Sequence, residues 1–121
     1  MSKRYEFELG KAADILVREL FKLKAGETFV ITADTEVDFR VVEATARAAC
    51  AVDAKPMVIW LASPLGLGKA ADPMLPVEAL TAALKEADAW VEFNSKWLLY
   101  STPWDIAMKE NKKLRYLCLV E

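Results

Sequence analysis

Thr28-Phe29-Val30-Ile31-Thr32-Ala33-Asp34, with Thr35-Glu36-Val37-Asp38 directly behind it, decides the fold. The first run is apolar and β-branched without polar alternation, the pattern of a strand buried on both faces. The second has the spacing of a capping box, Thr35 followed three residues on by the acid Asp38, and predicts that a helix opens at once. A buried strand running straight into a helix is the repeating unit of a parallel sheet.

Working outward, the same alternation recurs. Upstream, Leu9, Ala12, Ala13, Leu16, Leu20 and Leu23 share one face of a helix predicted from Phe7 to Lys24, with Gly26 as its stop signal. Downstream, Val37, Val41, Ala44 and Ala48 line the second helix, with Val42, Thr45 and Ala49 beside them, and Pro56 to Leu61 reads as the second strand. The stretch from Ala62 to Pro76 is irregular. Val77, Leu80, Leu84 and Ala87 mark the inner face of a third helix, and Ala89 to Phe93 the third strand, closed by Asn94-Ser95. Thr102-Pro103-Trp104-Asp105 is a second capping box with proline at the favoured first position, opening a helix to about Asn111. Lys112 and Lys113 complement the negative end of its dipole, and Arg115 to Val120 is the fourth strand.

Right-handed crossovers limit the arrangements. The reading is a single α/β domain over residues 1–121: three layers, a doubly wound four-stranded parallel sheet of order 2-1-3-4, flavodoxin-like. The first two helices lie on one face and the last two on the other. Strand four then lies at a sheet edge although it is apolar on both faces, so either further polypeptide or another subunit is expected to cover it.

Composition excludes whole classes of chemistry. Hydrophobic residues at 55% and charged residues at 28% describe a globular chain. A net charge of −2 gives no grip on a phosphate backbone, so nucleic acid is not an expected partner. No apolar stretch reaches the roughly 20 residues that span a bilayer, and no membrane association is expected. There is no histidine, which removes Ser-His-Asp and Cys-His catalysis and the commonest neutral metal ligand. Cys50 and Cys118 lie far apart in apolar segments and read as buried thiols of a reducing, cytoplasmic compartment. No catalytic residue, cofactor or metal site is assigned within the chain.

Open α/β sheets bind ligands beyond the carboxyl ends of their strands, where strand order reverses. That point falls between strands one and three and receives Asp34, Thr35, Asn94 and Ser95. The second helix starts beside them, so its N–H groups offer a place for an anion or carboxylate. The plainer reading makes Asp34 and Thr35 helix caps and Asn94-Ser95 a turn, in which case Asp34→Ala costs about 1 kcal/mol. Gly66-Leu67-Gly68-Lys69 lacks the helix and the Ser/Thr of a phosphate loop and reads as a flexible surface loop. Trp97, Tyr100 and Trp104 suit either a subunit contact or packing within the monomer. Glu36, Asp38, Glu43, Asp53 and Asp72 show no paired spacing and read as a solvated face.

Leu23 to Asp34, Ala89-Trp90-Val91-Glu92-Phe93-Asn94 and Leu98-Leu99-Tyr100-Ser101-Thr102-Pro103 resemble the N-terminal α/β domain of the aminopeptidase T family of metallo-aminopeptidases. The opening also resembles that of dioxygenase-like relatives that act on dihydroxypyridines. Asp53-Ala54 departs from the pattern, since such proteins usually carry Gly-Ala there. The resemblance implies a domain that flanks a catalytic cleft and supports dimerisation. Divalent metal ions are then expected only in a C-terminal part this sequence does not contain. The implied partners are the remainder of its own chain or a second copy. The alternatives are a stand-alone small-ligand-binding module and a structural subunit that pairs through strand four.

Overall fold

The computed structural model describes residues 6–119. Four parallel strands form one sheet in the order β2-β1-β3-β4: β1 (Thr28–Asp34), β2 (Lys55–Leu61), β3 (Ala89–Glu92) and β4 (Arg115–Cys118). The expected topology is present. Val120, read as the end of strand four, lies outside the described residues.

Alternation along β1 and β3 builds two cores. Phe29, Ile31 and Ala33 of β1, with Ala89 and Val91 of β3, face α1 (Glu6–Ile15) and α2 (Phe39–Ala51) and pack on Leu16, Val17, Phe21, Val42 and Ala49. Val30 and Trp90 face α3 (Val77–Glu86) and α4 (Thr102–Glu110) and pack on Leu80, Leu84, Leu98 and Ala107. Two helices therefore cover each face, as the doubly wound reading requires. Asn111 ties the second pair together, its Nδ2 donating to the carbonyls of Leu84 at 2.9 Å and Ala87 at 2.8 Å.

Element ends depart from expectation in informative ways. The first helix does not continue to Lys24. After Ile15 it widens into a π-helical turn, Leu16–Leu20, in which Phe21 N–H reaches back to Leu16 O. The inserted residue rotates the face: Val17 and Phe21 enter the core while Leu20 is left 65% exposed. Lys22 then takes a left-handed conformation (φ 51°), before Gly26 does (φ 82°).

The second helix starts at Phe39, not after Thr35. Its N-cap is Asp38, whose carboxylate accepts from Arg40 N–H at 2.9 Å. Asp53 follows α2 with φ 62°, a left-handed position where glycine carries no Cβ penalty. The glycine typical of the resembling family suits this backbone. In α4 the cap is Ser101, one residue before the expected Thr102, and its hydroxyl accepts from Trp104 N–H.

The segment from Ala62 to Pro76 is more ordered than a flexible loop. It holds a 3₁₀ helix, Gly68–Met74, and buries Ala71 and Leu75. Asp72 accepts from both the N–H and the hydroxyl of Thr102, tying this segment to α4. The thiol expectation fails for Cys50, which is exposed on α2; Cys118 is half-buried, and neither is in a disulfide. β4 does lie at an edge, but β2 at the opposite edge exposes more apolar surface through Met57, Val58 and Trp60.

Candidate functional site

The upper ends of β1 and β3 stay paired beyond the regular strands, Phe93 N–H donating to Thr32 O at 2.9 Å. Here the four predicted site residues separate into two roles. Asp34 is fully buried. Its carboxylate accepts from Glu36 N–H at 3.0 Å and from Lys96 N–H at 2.8 Å. It staples the loop after β1 to the loop after β3 and caps no helix. Thr35 is exposed, and its hydroxyl accepts from Ser63 N–H at 3.3 Å, a link toward β2.

Asn94 and Ser95 behave differently. Both line a pocket of about 310 Å³ with Glu36, Val37, Phe93, Trp97 and Leu119. Asn94 is 1% exposed, yet neither its Nδ2 nor its Oδ1 has a hydrogen-bond partner within the protein. Among the described residues it is the one side chain with two buried polar atoms unmatched. Leaving one such buried group unpaired costs about 1–3 kcal/mol. Such a group is a candidate for satisfaction by something that enters from outside the protein.

The expected anion site is not what the electrostatics favour. The ionisable side chain in the pocket wall is an acid, Glu36, whose Oε2 accepts from Ser63 Oγ at 2.9 Å. The start of α2 is already occupied, because Asp38 accepts from Arg40 N–H and pairs with the Arg40 guanidinium at 2.7 Å. Hydrogen bonding from the Arg40 guanidinium, and then from its backbone N–H, is the main reason the Asp38 carboxyl is held below its ordinary pKa. The helix dipole is thus complemented from within.

One buried charge escaped the sequence reading. Glu92, at the end of β3, is fully buried on the α3/α4 side of the sheet. Its Oε1 accepts from Tyr116 Oη at 2.6 Å and its Oε2 from Leu98 N–H. It joins β3 to β4 and holds the loop that follows Asn94. Burial pushes the Glu92 carboxyl pKa up, while its hydrogen bonds from Tyr116 and Leu98 pull it down in part. Burial, with the Glu92 charge nearby, also raises the Tyr116 phenol and pushes the Cys118 thiol up to about 11. The available signal was alternation: Trp90-x-Glu92 and Tyr116-x-Cys118 must face one side together. Of the three loop aromatics, Trp104 packs within the monomer, against Tyr100 and Tyr116. Trp97 stands 37% exposed at the pocket.

Among the described residues no group of three or more His, Cys, Asp or Glu is placed to hold a metal ion. Nor is any helix among them long and apolar enough to cross a membrane. No protein-family model and no curated protein matches the chain. Solved structures do. A 2,5-dihydroxypyridine dioxygenase from Pseudomonas putida KT2440 superposes with a TM-score of 0.74 at 22% identity, covering 98% of this chain and 35% of that one. Wild-type AmpT from Thermus thermophilus gives a TM-score of 0.65 at 15% identity, covering 97% and 36%. The chain thus spans about a third of the length of each, and at these identities the likeness is one of fold.

Proposed function

We propose that this chain is the N-terminal α/β domain of an aminopeptidase-T-like, metal-dependent hydrolase, flanking its cleft and supporting dimerisation without supplying its reacting groups. One observation carries the reading. The fold that accounts for 97–98% of this chain makes up about a third of two enzymes with different names, a dioxygenase and AmpT. A domain common to two such proteins is expected to contribute architecture, because chemistry resides in sites and not in folds. Leu23–Asp34 resembles the opening of both, and the resemblance of Ala89–Asn94 and Leu98–Pro103 to the aminopeptidase T pattern is what favours that family here.

On this reading the divalent metal ions belong to a further part of the polypeptide, and the partners of this domain are that part and a second copy. A reducing, cytoplasmic setting goes with its two free cysteines. The test is the intact mass of the native protein isolated from its source cells. A mass well above that of 121 residues, with metal-dependent aminopeptidase activity in the longer species, supports the proposal. Turnover of aminoacyl substrates by the purified 121-residue chain with zinc, cobalt or manganese overturns it.

A further inference from the structure

The pocket beyond β1 and β3 suits the charge opposite to the one its place in the sheet first suggests, whether or not the chain belongs to an aminopeptidase. We propose that it binds a small organic ammonium ion, with the charged nitrogen against the Glu36 carboxylate and the apolar body over the rings of Phe93 and Trp97.

Glu36 lies between β1 and α2 and is exposed at the pocket wall. Among the described residues its carboxylate has one hydrogen-bond partner, the Ser63 hydroxyl, which donates to Oε2 at 2.9 Å. Oε1 is left to accept, and no described lysine or arginine pairs with the group. The nearby acid Asp38 differs, because its charge is already answered by the Arg40 guanidinium at 2.7 Å. No basic side chain lines the pocket, so the ionisable group in its wall is an uncompensated negative charge.

The rest of the wall suits a cation as well. Aromatic faces carry negative potential and attract a positive group lying over them, tryptophan most strongly. Trp97 and Phe93 both line the pocket, and neither ring is engaged by another aromatic among the described residues. An anion is repelled by Glu36 and by those ring faces, and a neutral molecule forgoes both attractions. The exposed Ser95 hydroxyl is a further acceptor for an ammonium N–H. A guanidinium is matched best by two free oxygens of one carboxylate, whereas an ammonium needs one, and here Oε2 is engaged. A volume of about 310 Å³ is at the small end of ligand pockets, which suits a single ring on a short stem. The Asn94 carboxamide is closed to solvent and takes no part, so binding needs no opening of the wall.

The probes are benzylammonium, benzyl alcohol, benzoate, benzylguanidinium and Nα-acetyllysine methylamide, the last standing for a lysine presented by a partner protein. Each is titrated at low salt into the ¹⁵N-labelled chain while the Trp97 indole N–H and the Ser95 amide are followed by NMR. Benzylammonium is expected to move both signals and to bind about fivefold or more tightly than each of the others. Its affinity is expected to fall as salt is raised. Glu36→Gln, which keeps an oxygen for Ser63, is expected to weaken benzylammonium about fivefold and to leave benzyl alcohol unchanged. Trp97→Leu is expected to weaken benzylammonium by a similar factor. Both residues are exposed, so both variants are expected to keep the fold. No movement of either signal at tens of millimolar benzylammonium overturns the proposal, and so does benzyl alcohol binding equally well. Unchanged benzylammonium affinity in Glu36→Gln has the same effect. Tighter binding of benzylguanidinium or of the lysine amide than of benzylammonium overturns the assignment to a small ammonium ion.

Discussion

Replacing Glu92 tests whether a buried carboxylate is a structural tie, and the test has a defined sign. Glu92→Leu strands Leu98 N–H and Tyr116 O–H, which now donate to its two oxygens. Each unpaired buried group costs about 1–3 kcal/mol, so the loss is expected at about 2–6 kcal/mol, reduced by whatever the leucine gains from burial. Glu92→Gln keeps an oxygen for Leu98 N–H and can donate its amide to Tyr116 Oη, so its cost is expected to be far smaller. The pH dependence separates charge from shape. Burial raises the folded pKa of Glu92 above its unfolded value of about 4.3. Between those two values the native state holds a proton that the unfolded state has lost. Stability from this group is therefore fully present below about pH 4.3 and is lost as pH rises through the folded pKa. Glutamine cannot titrate. Glu27 and Asp38, whose pKa values are lowered by Arg115 and Arg40, act in the opposite sense but are common to both proteins. Urea unfolding of the wild-type and Gln variant from about pH 4 to pH 8, read by circular dichroism, should show the Gln variant gaining relative stability as pH rises. Parallel curves for the two, or a Leu variant as stable as the Gln variant, would refute the reasoning.

Three further outcomes follow from the same contacts. In a Cys50→Ala background, Cys118 should react with a disulfide reagent at pH 8 about two orders of magnitude more slowly than an ordinary thiol. A pKa of about 11 leaves little thiolate, and unfolding in urea should abolish the protection. Asn111→Ala strands the carbonyls of Leu84 and Ala87 where α3 ends. It should lower stability by about 2–6 kcal/mol, at the same roughly 1–3 kcal/mol per stranded group, read as a shift in the urea midpoint at unchanged slope. Asp34→Ala removes two charge-assisted bonds, from Glu36 N–H and Lys96 N–H, and should cost about 3–6 kcal/mol by the same assay. A loss near the 1 kcal/mol of a simple cap would return Asp34 to the cap reading.

The fold was legible because its signals are redundant. The run Phe29–Ala33 has few conformations open to it besides a buried strand, and the inward faces of α2 and α3 repeat at helical spacing. The element ends were less legible because competing local signals lie within a residue or two of each other. Thr35 and Asp38 can both cap. Asp38 does so because Asp34 first turns the chain, its carbonyl accepting from Val37 N–H and its carboxylate from Glu36 N–H. The π-helical turn at Leu16–Leu20 has no composition cue: it shifts which of Val17 and Leu20 is buried, and both are apolar. Glu92 was overlooked for the opposite reason, since an acid in a short strand reads as surface until its partners on the neighbouring strand are known.

The site divides along the same line between what position dictates and what partners dictate. Strand reversal locates it, since that follows from topology, and Asn94 and Ser95 do line the pocket found there. Charge at the site does not follow from topology. The anion expectation assumed that the N–H groups at the start of α2 are free. In the folded chain the Asp38 carboxylate accepts from one of them, Arg40 N–H, and pairs with the Arg40 guanidinium, so an incoming anion must compete there with a tethered carboxylate already in place. It must also approach Glu36. With Asp34 fully engaged, the side chain left without a partner at this end of the sheet is the uncharged Asn94, whose carboxamide is closed to solvent.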